Sequence, residues 1–362
     1  MIALNKRCLK FGDRIKVLVV DDSVVIRRLV TNALEADPLL EVVGTAANGV
    51  IALQRIAQHV PDVITLDIEM PEMDGLETLR HIRRDFPYAR TIMFSTMTER
   101  GAAITLEALG AGADDYVTKA SNEGSLDRSL VKLRTELIPK IKQFFAYPAA
   151  PGPRPVDVAP IPPVPIQPAV RPRAIAIGVS TGGPTALAQI LPLFPAGFRM
   201  PVLVVQHMPP LFTRFLADRL RGACALPVEE ASHGVAVEPG KILIAPGDFH
   251  LRVACQGDGI YAMLDTAPPL NSCRPSVDFL FMSVAEVYGS SAIGIILTGM
   301  GQDGLLGAGM IKSRGGRILA QDEASSVVWG MPGAVVRAGL AERVLPLDHL
   351  MPALLRMTGG PV

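Results

Sequence analysis

Short apolar runs alternate with amphipathic stretches over residues 16–147 of the chain. The amphipathic stretches place apolar residues at helical spacing and predict helices, and a longer one closes the segment at 125–145. The apolar runs, which predict strands, lie at 16–20, 41–46, 63–66, 90–94 and 115–117. Strand–helix units of this kind predict a doubly wound α/β fold with a parallel sheet, whose functional sites lie at the carboxyl ends of the strands.

A second set of apolar runs, at 174–177, 201–206 and 292–297, predicts further parallel strands in the region 173–362. The first run leads into a glycine-rich turn, Gly178-Val179-Ser180-Thr181-Gly182-Gly183-Pro184. Pro184 suits the first position of a helix, so the segment has a strand–turn–helix form that exposes a side chain at a sheet edge. We therefore expect a second doubly wound α/β domain, of Rossmann-like type.

The two patterned regions are separated by residues 148–172, which contain ten prolines and few charges. Such a composition cannot bury a core and predicts a semi-rigid, extended linker. We therefore divide the chain into a first domain at 16–147, a linker at 148–172 and a second domain at 173–362.

Composition excludes several classes of function. The 362-residue chain carries 35 acidic and 35 basic side chains, and zero net charge argues against a nucleic-acid-binding protein. No apolar run approaches the ~20 residues of a membrane span, and the start lacks the apolar core of a signal peptide. We expect a cytoplasmic protein without direct membrane insertion, whose cysteines are reduced thiols without metal-binding spacing: Cys8, Cys224, Cys255 and Cys273.

Polar residues follow the predicted strands of the first domain: Asp21 and Asp22, then Asp67, Ser95 and Lys119. Three carboxylates that converge at one edge of a sheet repel one another unless a hard cation such as Mg²⁺ neutralises them. The Asp67 carboxylate could then attack phosphorus, with a hydroxyl and a lysine to hold the phosphoryl oxygens. Taken singly, the aspartates could instead be a helix cap or turn residues, and Lys119 a surface charge.

The predicted strands of the second domain deliver Ser180, His207 and Asp303 to one sheet edge. A nucleophile, a general base and a carboxylate that orients the base are the three parts of acyl-transfer catalysis. The loop at 299–304 could supply backbone N–H donors to an oxyanion. The alternative is a phosphate cradle at the Ser180 turn, in a nucleotide-binding or non-catalytic output domain. Other candidate bases and acids in this region are His233, His250, Asp248, Asp278 and Asp322.

Residues 16–145 resemble the receiver domain of two-component response regulators, which has a flavodoxin-like fold. The matching motifs are Val19-Val20-Asp21-Asp22-Ser23, Leu66-Asp67-Ile68-Glu69-Met70-Pro71, Asp74-Gly75, Ser95-Thr96 and Asp114-Asp115-Tyr116-Val117-Thr118-Lys119. The resemblance implies that Asp67 is the phosphoacceptor and that Asp21, Asp22 and Asp67 hold Mg²⁺. It also implies that Ser95 and Lys119 sense the phosphoryl group and that Tyr116 is a switch residue. Ala120 departs from the pattern, because the family usually has proline there.

Residues 173–358 resemble the catalytic domain of chemotaxis receptor methylesterases, the CheB family. The matching motifs are the Ser180 turn, Gln206-His207-Met208-Pro209, Ile244-Ala245-Pro246-Gly247-Asp248-Phe249-His250, Arg274-Pro275-Ser276-Val277-Asp278, Leu297-Thr298-Gly299-Met300-Gly301-Gln302-Asp303-Gly304 and Ala320-Gln321-Asp322-Glu323-Ala324. The resemblance implies that Ser180 is the nucleophile, His207 the general base and Asp303 the orienting acid. Met300 would offer an oxyanion N–H, and Arg274 either lies near the substrate or pairs with an acid such as Asp278.

The two resemblances together imply a phosphorylation-activated hydrolase. Its substrates would be glutamate methyl esters, and more slowly glutamine amides, on the cytoplasmic helices of chemoreceptors. A chemotaxis histidine kinase would be the phosphodonor, Mg²⁺ would serve receiver phosphorylation, and the esterase step would need no cofactor. The unphosphorylated receiver is expected to cover the edge that carries Ser180.

Overall fold

The structure, a computed structural model, describes residues 7–8, 10, 12–119, 126–146 and 171–359. The expected linker at 148–172 lies outside the described residues except for its last two positions, and Ala120 also lies outside them. Within the described ranges, no helix has both the length and the apolar character needed to cross a bilayer.

The N-terminal region folds around a parallel sheet of five strands flanked by helices. The strands of the whole region, of which β2 to β6 form this sheet, are β1 (Arg7–Cys8), β2 (Ile15–Val20), β3 (Leu40–Ala46), β4 (Val63–Asp67), β5 (Arg90–Ser95), β6 (Asp115–Thr118) and β7 (Phe145–Ala146). Its helices are α1 (Val24–Glu35), α2 (Gly49–His59), α3 (Gly75–Asp85), α4 (Glu99–Gly110) and α5 (Leu126–Lys142). The sheet order is β3-β2-β4-β5-β6, which is the flavodoxin-like order that the sequence predicted.

The C-terminal region is built on a second parallel sheet. Its strands are β8 (Ala174–Val179), β9 (Val202–Gln206), β10 (Val228–Glu230), β11 (Ile242–Ile244), β12 (His250–Gln256), β13 (Gly259–Asp265), β14 (Ala292–Ile296), β15 (Arg317–Gln321) and β16 (Arg343–Leu345). Its helices are α6 (Gly183–Ile190), α7 (Phe212–Arg221), α8 (Val277–Tyr288), α9 (Leu305–Ser313), α10 (Met331–Arg337) and α11 (Leu347–Thr358). The order β10-β11-β9-β8-β14-β15-β16 confirms a doubly wound α/β sheet, and β12 and β13 form a separate antiparallel pair.

The expectation of one helix over 125–145 was wrong at its end. The helix α5 stops at Lys142, and Phe145–Ala146 pairs as a short strand with Arg7–Cys8. Phe144 and Phe145 are both buried in the core that α5 shares with the sheet. Their burial accounts for the change, because two bulky aromatic side chains contribute more free energy in the core than in an exposed last turn.

Both sheets reverse their strand order beside their first long strand. In the first sheet β2 lies between β3 and β4, and in the second β8 lies between β9 and β14. The chain therefore leaves each first strand towards one edge and later returns to its other side. The crevice at the carboxyl ends of such strands is where open α/β sheets bind ligands.

The two sheets are joined by direct packing. Helix α4 packs against α6 and α7, and one buried apolar cluster contains residues of both regions, among them Leu106, Tyr116 and Phe212. The receiver-like region therefore lies against the helix that follows the Ser180 turn.

Candidate catalytic and phosphoacceptor sites

Ser180, His207 and Thr298 follow three neighbouring strands at their carboxyl ends. Strand pairing sets Val179 beside Gln206 and Gly178 beside Ile296, so the next residues leave the sheet side by side. The His207 N–H donates to Val179 O at 3.1 Å, and the Ser180 N–H donates to Thr298 O at 3.0 Å. The backbone of Ser180 is thereby held between the histidine and the loop that leads to Asp303.

Two glycines permit this turn. Gly182 has a φ of +76°, a left-handed conformation that favours glycine. At Gly299, a Cβ would lie 2.8 Å from the Ser180 Cβ, so only glycine allows the second loop to approach the serine this closely. The half-buried position of Ser180 at the sheet edge therefore depends on glycine in its own turn and in the neighbouring loop.

Gln206 is a buried positioning residue that sequence reasoning included only as part of a motif. Its Nε2 donates to Ser180 O at 3.0 Å and to His207 O at 3.2 Å. One side chain thus ties together the backbones of two candidate catalytic residues. The signal available beforehand was a polar residue at the end of an otherwise apolar run.

His207 and Asp303 are in direct contact. The His207 Nε2 and Asp303 Oδ2 are 2.7 Å apart, and both side chains are largely buried. The shorter of the other hydrogen bonds to Asp303 come from the start of α8: Ser276 Oγ donates at 2.7 Å and the Val277 N–H at 2.6 Å. Asn271 Nδ2 and the Asp278 N–H also donate to it, each at 3.3 Å. A carboxylate with these donors at a helix N-terminus is favoured as the anion.

The same contacts shift the pKa values of the pair in opposite directions. Burial opposes the charged form of Asp303, but the hydrogen bonds from His207, Ser276 and the Val277 N–H hold its pKa well below the usual range. Burial also disfavours the imidazolium, yet the hydrogen bond to Asp303 raises the pKa of His207 above its ordinary value. Because Asp303 accepts a proton-bearing Nε2, the second ring nitrogen, Nδ1, is the one left to act as a base.

That second nitrogen faces a cysteine. The Cys273 Sγ lies 3.5 Å from His207 Nδ1, and the cysteine is free and half-buried. Sequence reasoning treated all four cysteines alike, because nothing in their spacing marks this one. Its place directly before Arg274-Pro275-Ser276, which leads into α8, brings it to the site.

The loop at 299–304 begins with Gly299, which lies against the serine, and continues into Met300. The N–H of Gly299 already donates to Val328 O at 2.9 Å, and its carbonyl accepts from the Met331 N–H at 2.9 Å. Gly299 is therefore committed to the fold, and the next amide in this loop belongs to Met300. The Met300 side chain is 40% exposed, which leaves the loop open to a partner.

The rival histidines occupy structural positions. His250 is fully buried, stacks on Phe279 at 4.0 Å between ring centroids, and accepts from the Ser276 N–H at 3.2 Å. Burial lowers the pKa of His250, which favours the neutral ring there. The His233 ring lies 3.1 Å from Leu264 O on the antiparallel pair.

The rival acids have other partners than His207. Asp278 accepts from Asn271 at 3.0 Å, and its pKa is raised to about 6 mainly by burial. Asp322 accepts from the N–H of Ser325 at 3.0 Å, in a turn. Arg274 pairs with an acid, as one of the two alternatives for it expected, but the acid is the exposed Asp248 at 3.9 Å and not Asp278.

The acidic residues of the first sheet also meet. Carboxylate oxygens of Asp21, Asp22 and Asp67 lie within 4.8 Å of one another. Lys119 Nζ lies 2.9 Å from Asp21 Oδ2 and 2.7 Å from Asp67 Oδ2. The cap of α1 is Ser23, so neither Asp21 nor Asp22 serves as that cap.

Burial, and to a smaller extent the charge of Asp21, disfavour the ionised form of Asp67 at this edge. Burial is the main cause that raises the pKa from 3.8 to about 6; Lys119 opposes the rise and the charge of Asp21 supports it. A set of hard oxygen donors that suffers mutual repulsion fits Mg²⁺ well.

Ser95 and Tyr116 lie between this edge and the second region. Ser95 Oγ accepts from Thr105 Oγ1 at 2.7 Å, which ties the end of β5 to α4. Tyr116 is buried, and its ring stacks on Phe212 of α7 with centroids 4.9 Å apart. Tyr116 therefore contacts the region that carries Ser180.

Comparison with known families matches both regions. The family model of the CheB methylesterase matches residues 175–354, and that of the response regulator receiver domain matches residues 17–130.

Known proteins match the chain over nearly its whole length. A protein from Nocardioides sp. (strain ATCC BAA-499 / JS614), named protein-glutamate methylesterase/protein-glutamine glutaminase, is 54% identical and covers 94% of this chain and 95% of its own. A protein of the same name from Trichodesmium erythraeum is 46% identical over 96% and 99%. The crystal structure of the Thermotoga maritima CheB methylesterase catalytic domain is 45% identical, covers 52% of this chain and all of its own, and has a TM-score of 0.51.

Proposed function

Because the chain belongs to the CheB methylesterase family, we propose that Ser180, His207 and Asp303 carry its hydrolysis of glutamate methyl esters on chemoreceptors. The chain is a protein-glutamate methylesterase and protein-glutamine glutaminase with a receiver domain. The observation that carries the proposal is the 2.7 Å contact between His207 and Asp303, at the sheet edge where Ser180 leaves β8. A nucleotide-binding turn would leave that contact without a role.

The proposed reaction begins with His207 in its neutral form. Asp303 fixes the tautomer with hydrogen on Nε2, so Nδ1 takes the Ser180 proton as the hydroxyl oxygen attacks the ester carbonyl. The Met300 N–H would stabilise the oxyanion, and the protonated His207 would give its proton to departing methanol. Water then cleaves the glutamyl-enzyme and leaves a free carboxylate. Deamidation follows the same steps with ammonia as the leaving group, and more slowly, since amides are less reactive.

The partners follow from the substrate. The methyl ester is a small group on a large helical protein, so contacts between the two proteins must supply much of the positioning. We propose that the partners are the cytoplasmic helices of chemoreceptors, that a chemotaxis histidine kinase is the phosphodonor, and that the enzyme works in the cytoplasm.

Phosphorylation of the receiver domain depends on Mg²⁺. We propose that Asp67 accepts the phosphoryl group and that Asp21, Asp22 and Asp67 hold the cation, which would neutralise their repulsion. Lys119, already 2.7 Å from Asp67, would bind a phosphoryl oxygen, and Ser95 and Tyr116 would change position with it.

We further propose that the receiver inhibits the enzyme by covering it. Thr181, the neighbour of Ser180, donates from Oγ1 to Asp115 Oδ2 of β6 at 3.0 Å. Thr185 donates to Leu109 O at 3.1 Å, and Arg219 of α7 donates to Leu106 O. A bulky receptor helix would have to displace these contacts, and phosphorylation would weaken them.

The nucleophile is tested by release of methanol from a methylated receptor. Ser180→Ala is expected to lose the activity, while Ser313→Ala, an exposed serine at the end of α9, retains it. Full activity of the Ser180→Ala protein, with its fold verified by circular dichroism, contradicts the assignment.

A further inference from the structure

A cysteine and a histidine share the candidate catalytic edge in a way that hydrolysis does not require. Cys273 Sγ and His207 Nδ1 are 3.5 Å apart, and Cys273, His207 and Asp303 present ligand atoms within 4.8 Å of one another. Serine-based ester hydrolysis has no use for a thiol on the nitrogen that serves as base.

The separation suits a tetrahedral metal ion. Zinc binds thiolate sulfur at ≈ 2.3 Å and imidazole nitrogen at ≈ 2.0–2.1 Å, so two ligands at the tetrahedral angle lie about 3.5 Å apart. The observed distance between Sγ and Nδ1 is the same, at 3.5 Å. An ion could therefore bind both atoms with little movement of either side chain.

The opposite side of the imidazole is also arranged as in metal sites. A histidine that binds a metal usually donates its other ring N–H to a carboxylate, which fixes the ring and strengthens the ligand. Here His207 Nε2 meets Asp303 Oδ2 at 2.7 Å, and Asp303 is held in turn by Ser276 and by the Val277 N–H. The orienting acid of the proposed triad is thus also a suitable outer partner for a metal-bound His207.

We propose that Cys273 Sγ and His207 Nδ1 form an inhibitory binding site for Zn²⁺ at the catalytic edge. The ion displaces the thiol proton into solvent, and water fills its remaining coordination positions. The occupied Nδ1 has no lone pair for the Ser180 proton, so hydrolysis stops until the zinc is removed. Thiolate and imidazole ligands select zinc over Mg²⁺, which prefers oxygen.

Inhibition by zinc rests on the proposed function, in which His207 is the base, whereas the binding of zinc to Cys273 and His207 does not. Two measurements on the full-length protein keep the two apart: methanol release under zinc titration, and the absorption spectrum with Co²⁺ as a substitute for zinc. The assay contains phosphodonor and saturating Mg²⁺, which occupies the acidic edge at Asp67.

The variants are Cys273→Ala and, as a matched loss of a thiol, Cys255→Ala on the exposed end of β12. Each rate is divided by the zinc-free rate of the same variant. We expect wild type and Cys255→Ala to be inhibited equally and to recover with a zinc-selective chelator. Cys273→Ala should need at least about tenfold more zinc, since even an outer-shell partner contributes about 10–100-fold to metal affinity.

The cobalt spectrum tests binding without substrate. A thiolate-to-cobalt charge-transfer band is expected in wild type and Cys255→Ala and should be absent in Cys273→Ala. Equal inhibition of wild type and Cys273→Ala, no inhibition at zinc in excess over protein, or a charge-transfer band that survives in Cys273→Ala overturns the proposal. A band that depends on Cys273 in a protein without esterase activity supports the metal site and counts against the proposed function alone.

Discussion

At the scale of single residues, Asp303 does more than neutralise a histidine. It accepts from His207 Nε2 at 2.7 Å, selects the tautomer that leaves Nδ1 free, and raises the pKa of His207 above its ordinary value. Sequence reasoning found both residues because each follows a buried strand. Asp278 stayed a rival to Asp303 at that point, and the folded chain shows that Asp303 is the acid hydrogen-bonded to the imidazole.

Asp303→Asn should reduce kcat by roughly 10³–10⁴-fold, since the amide favours the wrong tautomer, as in serine proteases. The loss of the carboxylate also removes the main contact that raises the pKa of His207, so the acid limb of the pH–rate profile should move to lower pH. The pKa of His207 in wild type is raised to about 10, so methanol release between pH 5 and 11, corrected for spontaneous ester hydrolysis, measures both effects. Asp248→Asn, an exposed acid, is the control, and an acid limb that stays in place in Asp303→Asn contradicts the assignment.

The ionised carboxylate of Asp67 destabilises the folded state, and this effect can be measured. Its pKa is raised from 3.8 to about 6, so the folded chain holds the proton more tightly than the unfolded chain. The folded state therefore loses stability as the pH rises from about 4 to about 6, and the loss persists at pH 7.

Asp67→Asn should therefore stabilise the protein at pH 7 without Mg²⁺, on the order of 1–3 kcal/mol, because it removes the buried charge. The gain should shrink below pH 4, where Asp67 is protonated in both the folded and the unfolded chain. Urea unfolding in the presence of a chelator measures it, with Glu69→Gln, an exposed acid nearby, as control. A variant that is less stable than wild type at pH 7 shows that Lys119 compensates the Asp67 charge fully.

At the scale of elements, hydrophobic runs predicted several buried strands closely, although the buried strand Arg317–Gln321 was missed. The expected run at 63–66 is the strand Val63–Asp67, and the run at 292–297 is Ala292–Ile296. Strands with half-exposed faces were missed: Gly259–Asp265, for example, has one fully buried residue, Ala262. Without a continuous apolar run, such a strand has no strong signal of its own.

Helix α7 offers a test of the proposal that the receiver domain inhibits the enzyme by covering the edge that carries Ser180. Arg219 donates to Leu106 O of the receiver, and the added Cβ of any side chain at Gly110 would meet the Arg219 guanidinium. A hydrogen bond from a charged donor contributes about 1.5–3 kcal/mol. Arg219→Ala should therefore raise the basal activity of the unphosphorylated full-length protein by roughly ten- to hundredfold, since each 1.4 kcal/mol corresponds to a factor of ten.

Arg214→Ala is the matched control for that change. The two arginines are five positions apart on α7, about 140° round the helix axis, so the control removes the same charge from another side. Equal basal rates in wild type and Arg219→Ala argue that the contact between α4 and α7 does not limit access to Ser180.

At the scale of the whole molecule, the contacts between the two regions were beyond sequence reasoning. Thr181 and Asp115 belong to different regions of the chain, and so do the stacked rings of Tyr116 and Phe212. Neither pair has a local pattern, because each residue fits equally well into the interior of its own region. The expectation that the receiver covers the serine came from an Asp67 site joined by a proline-rich linker to a hydrolase-like domain, and only the folded chain identifies the residues in contact.

If the receiver domain covers the one catalytic edge, phosphorylation should affect ester hydrolysis and deamidation equally. Ester hydrolysis and deamidation would both use Ser180, His207 and the Met300 N–H, and both receptor substrates must reach the same surface beside Thr181. Phosphodonor with Mg²⁺ should therefore raise methanol release and ammonia release by the same factor, although deamidation is slower throughout. Asp67→Asn should show neither rise. If phosphorylation accelerated one reaction and left the other unchanged, access would not be the controlled step, and the receiver would act on the chemistry around His207 instead.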